Sequence, residues 1–312
     1  MSEAIRIEQM TKSYSTWRRS FVAVRELDLT VPTGSVVAFI GPNGAGKTTT
    51  IYSLLGLLSP DRGRVTIFGD AAGSVAARQH IGFLPEIFYT YPYRTARQAM
   101  QLYGQLSGLS REMIDARLPA VLARVGLSEA VDRKVGTFSK GMVQRLGLAQ
   151  AIVHQPRLLI LDEPTTGLDP EGRRTVVDLI LQEKARGATI FLSSHILSDV
   201  ERTCDRVIMI QRGRMVASTA LAELAASTGQ WIVEITRWQA GLASRFAEAG
   251  YTPAQIDGDT AAVPCNEERK EALLRLALEL GLGIGSIRQS RRSLEEMYME
   301  LIQDAPKRRG PS

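Results

Sequence analysis

Gly41-Pro42-Asn43-Gly44-Ala45-Gly46-Lys47-Thr48-Thr49 decides the reading of this chain. Four residues separate two glycines, and Lys-Thr-Thr follows the second, which is the P-loop pattern. The run before it, Val36–Ile40, is short, branched and apolar, as a buried strand requires, and a helical pattern begins after it. In that setting the glycines let the backbone curl until successive amides point at phosphate oxygens, and the helix N-terminus adds the positive end of its dipole. Gly41, Asn43, Gly44, Ala45, Gly46, Lys47, Thr48 and Thr49 are the expected cradle. Lys47 is expected to reach the β- and γ-phosphates of a nucleotide, and the Thr48 hydroxyl to ligate Mg2+.

Outward from the cradle, residues 81–84, 158–161, 189–193 and 206–210 are again short apolar runs, and helical patterns separate most of them. That alternation predicts an α/β core with a parallel or mostly parallel sheet and helices on both faces. Residues 87–150 differ, because 95–133 holds long helical runs and no strand; this predicts a helical subdomain inserted into the core. Arg157-Leu158-Leu159-Ile160-Leu161-Asp162-Glu163 is an apolar strand ending in two acids. An acid at the carboxyl end of a parallel strand beside the P-loop strand suits a magnesium shell, hence Asp162. Glu163, one residue further, is placed to polarise an attacking water. An acidic strand end leading into a turn at Pro164 is the plain alternative.

Past residue 224 the pattern resets, giving an expected first domain of 1–224. Residues 227–229 are a weak linker. A strand at 231–236, a helix at 239–250, two extended stretches about a turn at 257–259, a helix at 267–280 and a strand at 284–289 follow. This β-α-β-β-α-β order predicts a small α+β, ferredoxin-like domain over 230–304. Ser293 with Glu296 three residues on reads as a capping box for a last helix, with Leu294, Met297, Tyr298 and Leu301 on one face. The tail 305–312 is expected to be disordered. With 44% hydrophobic and 23% charged residues the composition is that of a globular protein. No apolar run approaches the roughly 20 residues that span a bilayer, and no leader opens the chain. The two cysteines, Cys204 and Cys265, lack disulfide or metal spacing and suit a reducing cytoplasm. A net charge of +5 does not single out nucleic acid, and no nucleic-acid partner is expected.

Phe138-Ser139-Lys140-Gly141-Met142, just upstream of the paired acids, resembles the signature segment of ABC-type ATPases. Thr165-Thr166-Gly167-Leu168-Asp169-Pro170 resembles that family's D-loop, and Ser193-Ser194-His195 its switch-histidine loop. With the P-loop and the acids, five motifs stand in the family order across roughly the first 220 residues. The resemblance implies a P-loop ABC ATPase core with a mixed sheet, binding ATP and Mg2+. It implies a head-to-tail dimer with a second copy, in which Ser139 and the Gly141 amide close over the γ-phosphate held by the opposite subunit and Asp169 packs across the interface. Glu163 and His195 are the implied catalytic pair, His195 contacting the γ-phosphate and helping to hold the water. His80 and His154 are expected to be structural.

An aromatic residue upstream of the P-loop stacks on adenine in this family, and Tyr14 occupies the matching place, with Trp17 a rival in the loop 15–20. Where the family usually has glutamine after Leu84-Pro85, this chain has Glu86. Either Glu86 joins Thr48 and Asp162 as a metal ligand, or it faces solvent or the membrane partner. The Ser-Lys-Gly-Met signature, the D-loop and the C-terminal domain resemble the ATPases of ABC-2-type exporters, drug and polysaccharide exporters among them. That implies a separate integral-membrane permease and a peripheral place on the cytoplasmic face of a membrane, the bacterial inner membrane. Phe88, Tyr89, Tyr91 and Tyr93 mark the expected dock. Soluble ABC proteins acting on ribosomes or DNA carry two cassettes or long coiled coils, whereas this chain has one P-loop and no sustained heptads. A regulatory subunit with a dead site would not keep Lys47, Asp162, Glu163 and His195 together.

Overall fold

The structure, a computed structural model, describes residues 2–15, 20–225, 230–239, 241–253, 255–289 and 293–303. The chain forms two compact units, Met1–Leu221 and Ala222–Ser312. The first opens with a long hairpin, β1 (Glu3–Ser15) and β2 (Ser20–Pro32), and then sends β3 (Val36–Ile40) into the core. α1 (Lys47–Leu54) leaves the glycine loop, and β4 (Arg62–Ile67) with the short β5 (Asp70–Ala71) returns to the hairpin. These strands make an antiparallel sheet in the order β2-β1-β4-β5. After α2 (Val75–Gln79) and β6 (Ile81–Leu84) come three helices, α3 (Ala96–Leu106), α4 (Arg111–Arg124) and α5 (Lys140–Ile152). β7 (Leu158–Asp162), α6 (Pro170–Ala185), β8 (Thr189–Ser193), α7 (Leu197–Thr203), β9 (Arg206–Gln211) and β10 (Arg214–Ala220) complete the unit.

The core sheet runs β10-β9-β3-β8-β7-β6, with β10 antiparallel to β9 and the other pairings parallel. Every residue of β3, β7 and β8 is buried, as expected of a sheet covered on both faces. Alternate residues (Val37, Phe39, Leu158, Ile160, Phe191, Ile208) join Ile5, Ile7 and Leu27 of the antiparallel sheet in one apolar cluster. The sheet is thus mixed, and the antiparallel layer is an addition to the parallel core that the strand pattern predicts.

The three inserted helices start at oxygen caps: Thr95 in a reciprocal capping box with Gln98, Ser110, and Ser139. α5 lies hard against β6. A Cβ at Gly82 would come 1.9 Å from the Ala151 carbonyl oxygen, and one at Gly147 2.7 Å from Leu84 and Phe88. Gln150 Nε2 donates to the Phe83 carbonyl at 2.6 Å, closing the same contact. At the far end of α4, Arg124 pairs at 2.6 Å with Glu183 of α6, a carboxylate only 1% exposed that Arg186 also holds.

In the second unit, α8 (Leu221–Ala225) begins at the boundary, followed by β11 (Gln230–Thr236), α9 (Leu242–Glu248), β12 (Gln255–Asp257), β13 (Thr260–Asn266), α10 (Glu267–Glu279), β14 (Gly283–Gln289) and α11 (Leu294–Gln303). The sheet order β12-β13-β11-β14, antiparallel throughout, is the ferredoxin-like arrangement. Val233, Ile235, Phe246, Val263, Leu273 and Ala277 form its core. Both bonds of the capping box between Ser293 and Glu296 are present, at 3.0 and 3.1 Å. Trp17, the linker at 227–229 and the tail 305–312 lie outside the described residues.

The closeness of α5 to β6 yields a test. Gly82→Ala must separate backbone from backbone, so it is expected to destabilise the first unit by about 2 kcal/mol, the scale of an overpacked core. Calorimetric unfolding beside the unsubstituted chain measures it.

Candidate active site

Parallel strands end at one edge, so the loops after β3, β7 and β8 meet there. They border a cleft of about 590 Å³. The loop after β3 lies close to its neighbours: a Cβ at Gly41 would stand 2.2 Å from the Ile210 oxygen, and one at Gly46, whose φ is +108°, 2.6 Å from the Ala23 oxygen. Only glycine fits both positions. Asn43, Gly44, Ala45, Gly46, Lys47, Thr48 and Thr49 line the cleft, whereas Gly41 sits beneath them against β9. Lys47 Nζ curls back to donate to the Gly41 carbonyl at 2.7 Å and the Pro42 carbonyl at 3.4 Å, which keeps its charge over the loop.

The two acids differ in setting. Asp162, the last residue of β7, is 4% exposed and accepts from Ser193 Oγ at 2.6 Å. Burial pushes its carboxyl above the usual carboxylate range; the Ser193 hydroxyl opposes this, the charges of Glu86 and Glu163 add to it, and Lys47 opposes it. Glu163 stands in the left-handed region at φ +50°, a costly conformation for a residue with a Cβ. Its amide donates to Ser193 Oγ at 2.9 Å. Its Oε2 lies 2.7 Å from His195 Nδ1 and accepts from Thr166 Oγ1 at 3.1 Å. The bend therefore turns this carboxylate toward the histidine, away from the line of the strand.

Glu86 also borders the cleft, so Thr48, Asp162 and Glu86 all supply hard oxygen donors to its lining. Among the described residues no group of three or more His, Cys, Asp or Glu side chains forms a metal cage. A magnesium ion needs none, since it keeps waters and phosphate oxygens and takes only one or two carboxylates from protein. Burial first and then the neighbouring Glu86 and Glu163 charges disfavour the Asp162 carboxylate, and a cation offsets the latter, so the donor set fits Mg2+.

Tyr14 also lines the cleft, its hydroxyl 3.4 Å from Thr49 Oγ1. Its ring stacks on Phe21 at 5.4 Å and 25°. Phe21, 58% exposed, lines the cleft from outside every motif, and Thr166 lines it from within the D-loop segment, although the sequence reading assigns it no place there. Phe21 follows from hairpin register, where it faces Tyr14 directly. The structure does not bring Ser139, Gly141 or Asp169 to this cleft. Ser139 Oγ caps α5 by accepting from the Met142 amide at 3.2 Å, and Asp169 caps α6 by accepting from the Gly172 amide at 2.9 Å. Gly141 lies beside Leu168, and Lys140 against Gly167, so the signature segment and the D-loop touch within one chain. His154 bonds the Ile81 carbonyl at 3.0 Å with its basicity lowered by burial, and His80 stands edge-on to Phe68.

The paired acids end β7, which β8 separates from the cradle's strand β3, instead of the two lying side by side as the sequence suggests. A glycine cradle at a helix start, these acids and a histidine after β8, on a mixed α/β sheet, make this a P-loop nucleotide hydrolase. The ABC transporter family matches residues 24–166. An uncharacterized ABC transporter ATP-binding protein of Nostoc sp. is 36% identical over 94% of this chain and 88% of its own length. The Nod factor export ATP-binding protein I of Burkholderia lata is 40% identical over 64% of this chain and 66% of its own. A solved structure of the ATP-binding subunit of an ABC transporter, 32% identical, superposes with a TM-score of 0.65 over 71% of this chain and 91% of that one. The chain belongs to the ATP-binding subunits of ABC transporters, a family of ATPases.

The setting of Asp162 fixes the sign of a pH effect. The folded chain holds this proton more tightly than the unfolded one, so the stability it contributes is full below the ordinary carboxylate range and is lost as pH rises through the raised value. Asp162→Asn keeps an oxygen for Ser193 and removes the charge. It is expected to raise the melting temperature of the nucleotide-free, metal-free protein at neutral pH and to leave it unchanged below the ordinary carboxylate range, as read by calorimetry at the two pH values.

Proposed function

We propose that this chain hydrolyses ATP with Mg2+ as the motor of an ABC-2-type exporter, two copies closing head to tail over two nucleotides to drive a separate permease. The observation that carries the hydrolytic part is the Glu163 carboxylate, gripped on one oxygen by His195 and Thr166 beside Asp162. Held so, Glu163 presents its other oxygen to a water as general base. Lys47 and the loop amides bind the phosphates, and Tyr14, backed by Phe21, stacks on the base. Thr48, Asp162 and Glu86 would hold Mg2+, which neutralises phosphate charge when bound. Ser139 and Asp169 are exposed and, with Gly141, lie off their own chain's cleft, which supports their service to the opposite copy.

Export is supported by likeness to the Nod factor export ATP-binding protein I. No helix among the described residues is long and apolar enough to cross a membrane, so in this reading the chain attaches to the cytoplasmic face through its permease. The dock is the segment after Glu86. Phe88 is buried, but Tyr89, Tyr91 and Tyr93 are 81%, 47% and 65% exposed, and a groove lined by Tyr89, Tyr91, Leu102, Tyr103 and Leu106 adjoins them. Residues 230–304 act as an accessory, regulatory domain.

Two outcomes are expected. Glu163→Gln should slow phosphate release by about 100-fold or more, the usual worth of a general base, while keeping ATP binding and accumulating a nucleotide-bound dimer on size-exclusion chromatography. Turnover at the unsubstituted rate would remove Glu163 from the role. Replacing Tyr89 and Tyr91 by alanine should leave the isolated ATPase active and weaken co-purification with the permease; undiminished co-purification would place the dock elsewhere.

A further inference from the structure

A single hydroxyl joins the two acids of the cleft. Ser193, fully buried at the end of β8, is the register partner of Asp162 on the last rung between β7 and β8. Its Oγ donates to Asp162 Oδ1 at 2.6 Å and accepts the Glu163 amide at 2.9 Å. A serine has one hydroxyl hydrogen, and the amide can only donate. The hydrogen therefore belongs to Asp162 and a lone pair to Glu163, so the direction of both bonds is set.

The tie falls where the backbone leaves the strand for the left-handed conformation of Glu163. Beyond that bend the Glu163 carboxylate is gripped by His195 and Thr166. The adjacent Ser194 serves only its own loop, accepting the Ile196 amide at 3.0 Å. Ser193 is the one described side chain bonded to both acids, one by its carboxylate and the other by its backbone.

We propose that Ser193 is a positioning residue for hydrolysis, fixing the offset between the Glu163 carboxylate and the Asp162 carboxylate that would hold the metal. The inference rests on the reading of Glu163 as base and Asp162 as magnesium ligand. Without the hydroxyl, Asp162 is free to turn about its side chain and the Glu163 bend loses its acceptor, so both the metal response and the chemical step suffer.

The test compares Ser193→Thr with Ser193→Val, which have nearly the same shape and differ in the hydroxyl; a cooperative unfolding transition above the assay temperature in each establishes that both fold. Ser193→Val is expected to lose about 10- to 100-fold in kcat, the range for a group that orients a metal ligand, with KM nearly unchanged, and Ser193→Thr to restore turnover. A second readout needs no turnover. In a Glu163→Gln background, calorimetry measures how much Mg2+ tightens ATP binding over binding in chelator. That gain should shrink about tenfold in Ser193→Val and persist in Ser193→Thr, with affinity in chelator the same for both. Threonine and valine variants that behave alike in both measurements, whether both active or both impaired, would overturn the inference. Failure of the underlying reading is separate: Glu163→Gln alone would then turn over ATP at the unsubstituted rate, whatever the residue at 193.

Discussion

Parallel pairing of β3, β8 and β7 is the constraint on which the site depends. The rungs Phe39↔Ser193 and Asp162↔Ser193 bring three strand ends level, and the groups of the cleft come from the few residues that follow each strand. After β3 it curls around glycines; after β7 it bends at Glu163; after β8 it presents His195. Complete burial of these strands makes slippage costly, since a shift of one residue would move every packed side chain out of the space that fits it on either face. Precision at the cleft is thus inherited from apolar packing beneath it.

The cleft balances this rigidity with unfavourable features of its own. Asp162 is buried among like charges, and Glu163 adopts a conformation that residues with a Cβ avoid. Neither helps the fold. Both leave the site poised for a polyanion accompanied by a cation, because the pair supplies the missing countercharge. A protein stabilised here would be a weaker enzyme.

Most of the cleft was legible because its parts are contiguous motifs. Lys47, Asp162, Glu163 and His195 each sit within a few residues of a recognisable pattern, and the structure gathers them as that pattern implies. What escaped reading depends on pairing across strands. Phe21 meets Tyr14 only through hairpin register, and the weight of Ser193 lies in two bonds that no spacing encodes. The N-terminal antiparallel layer was obscure for a related reason. Register shifts between Ile7 and Met10, and again toward Ser13, interrupt the alternation by which a strand is recognised. The C-terminal unit reads more easily, since its β11–β13 ladder is unbroken and its helices carry caps at Asn266 and Ser293. Ser139, Gly141 and Asp169 do not converge with the P-loop within one chain, and no inspection of a single copy would bring them there.

The contact of α5 with β6 has a mechanical meaning. At Gly82 the backbone of β6 lies on that of α5, at Gly147 the Leu84 and Phe88 side chains fill the space a Cβ would need, and Gln150 pins the two elements together. Interfaces cushioned by long flexible side chains are compliant: a small push is absorbed as rotamer changes and dies out within a few ångströms. Bare backbone against backbone has little such slack, given the low compressibility of packed interiors. The aromatic loop beyond β6 and the exposed start of α5 are therefore joined through a contact with little slack.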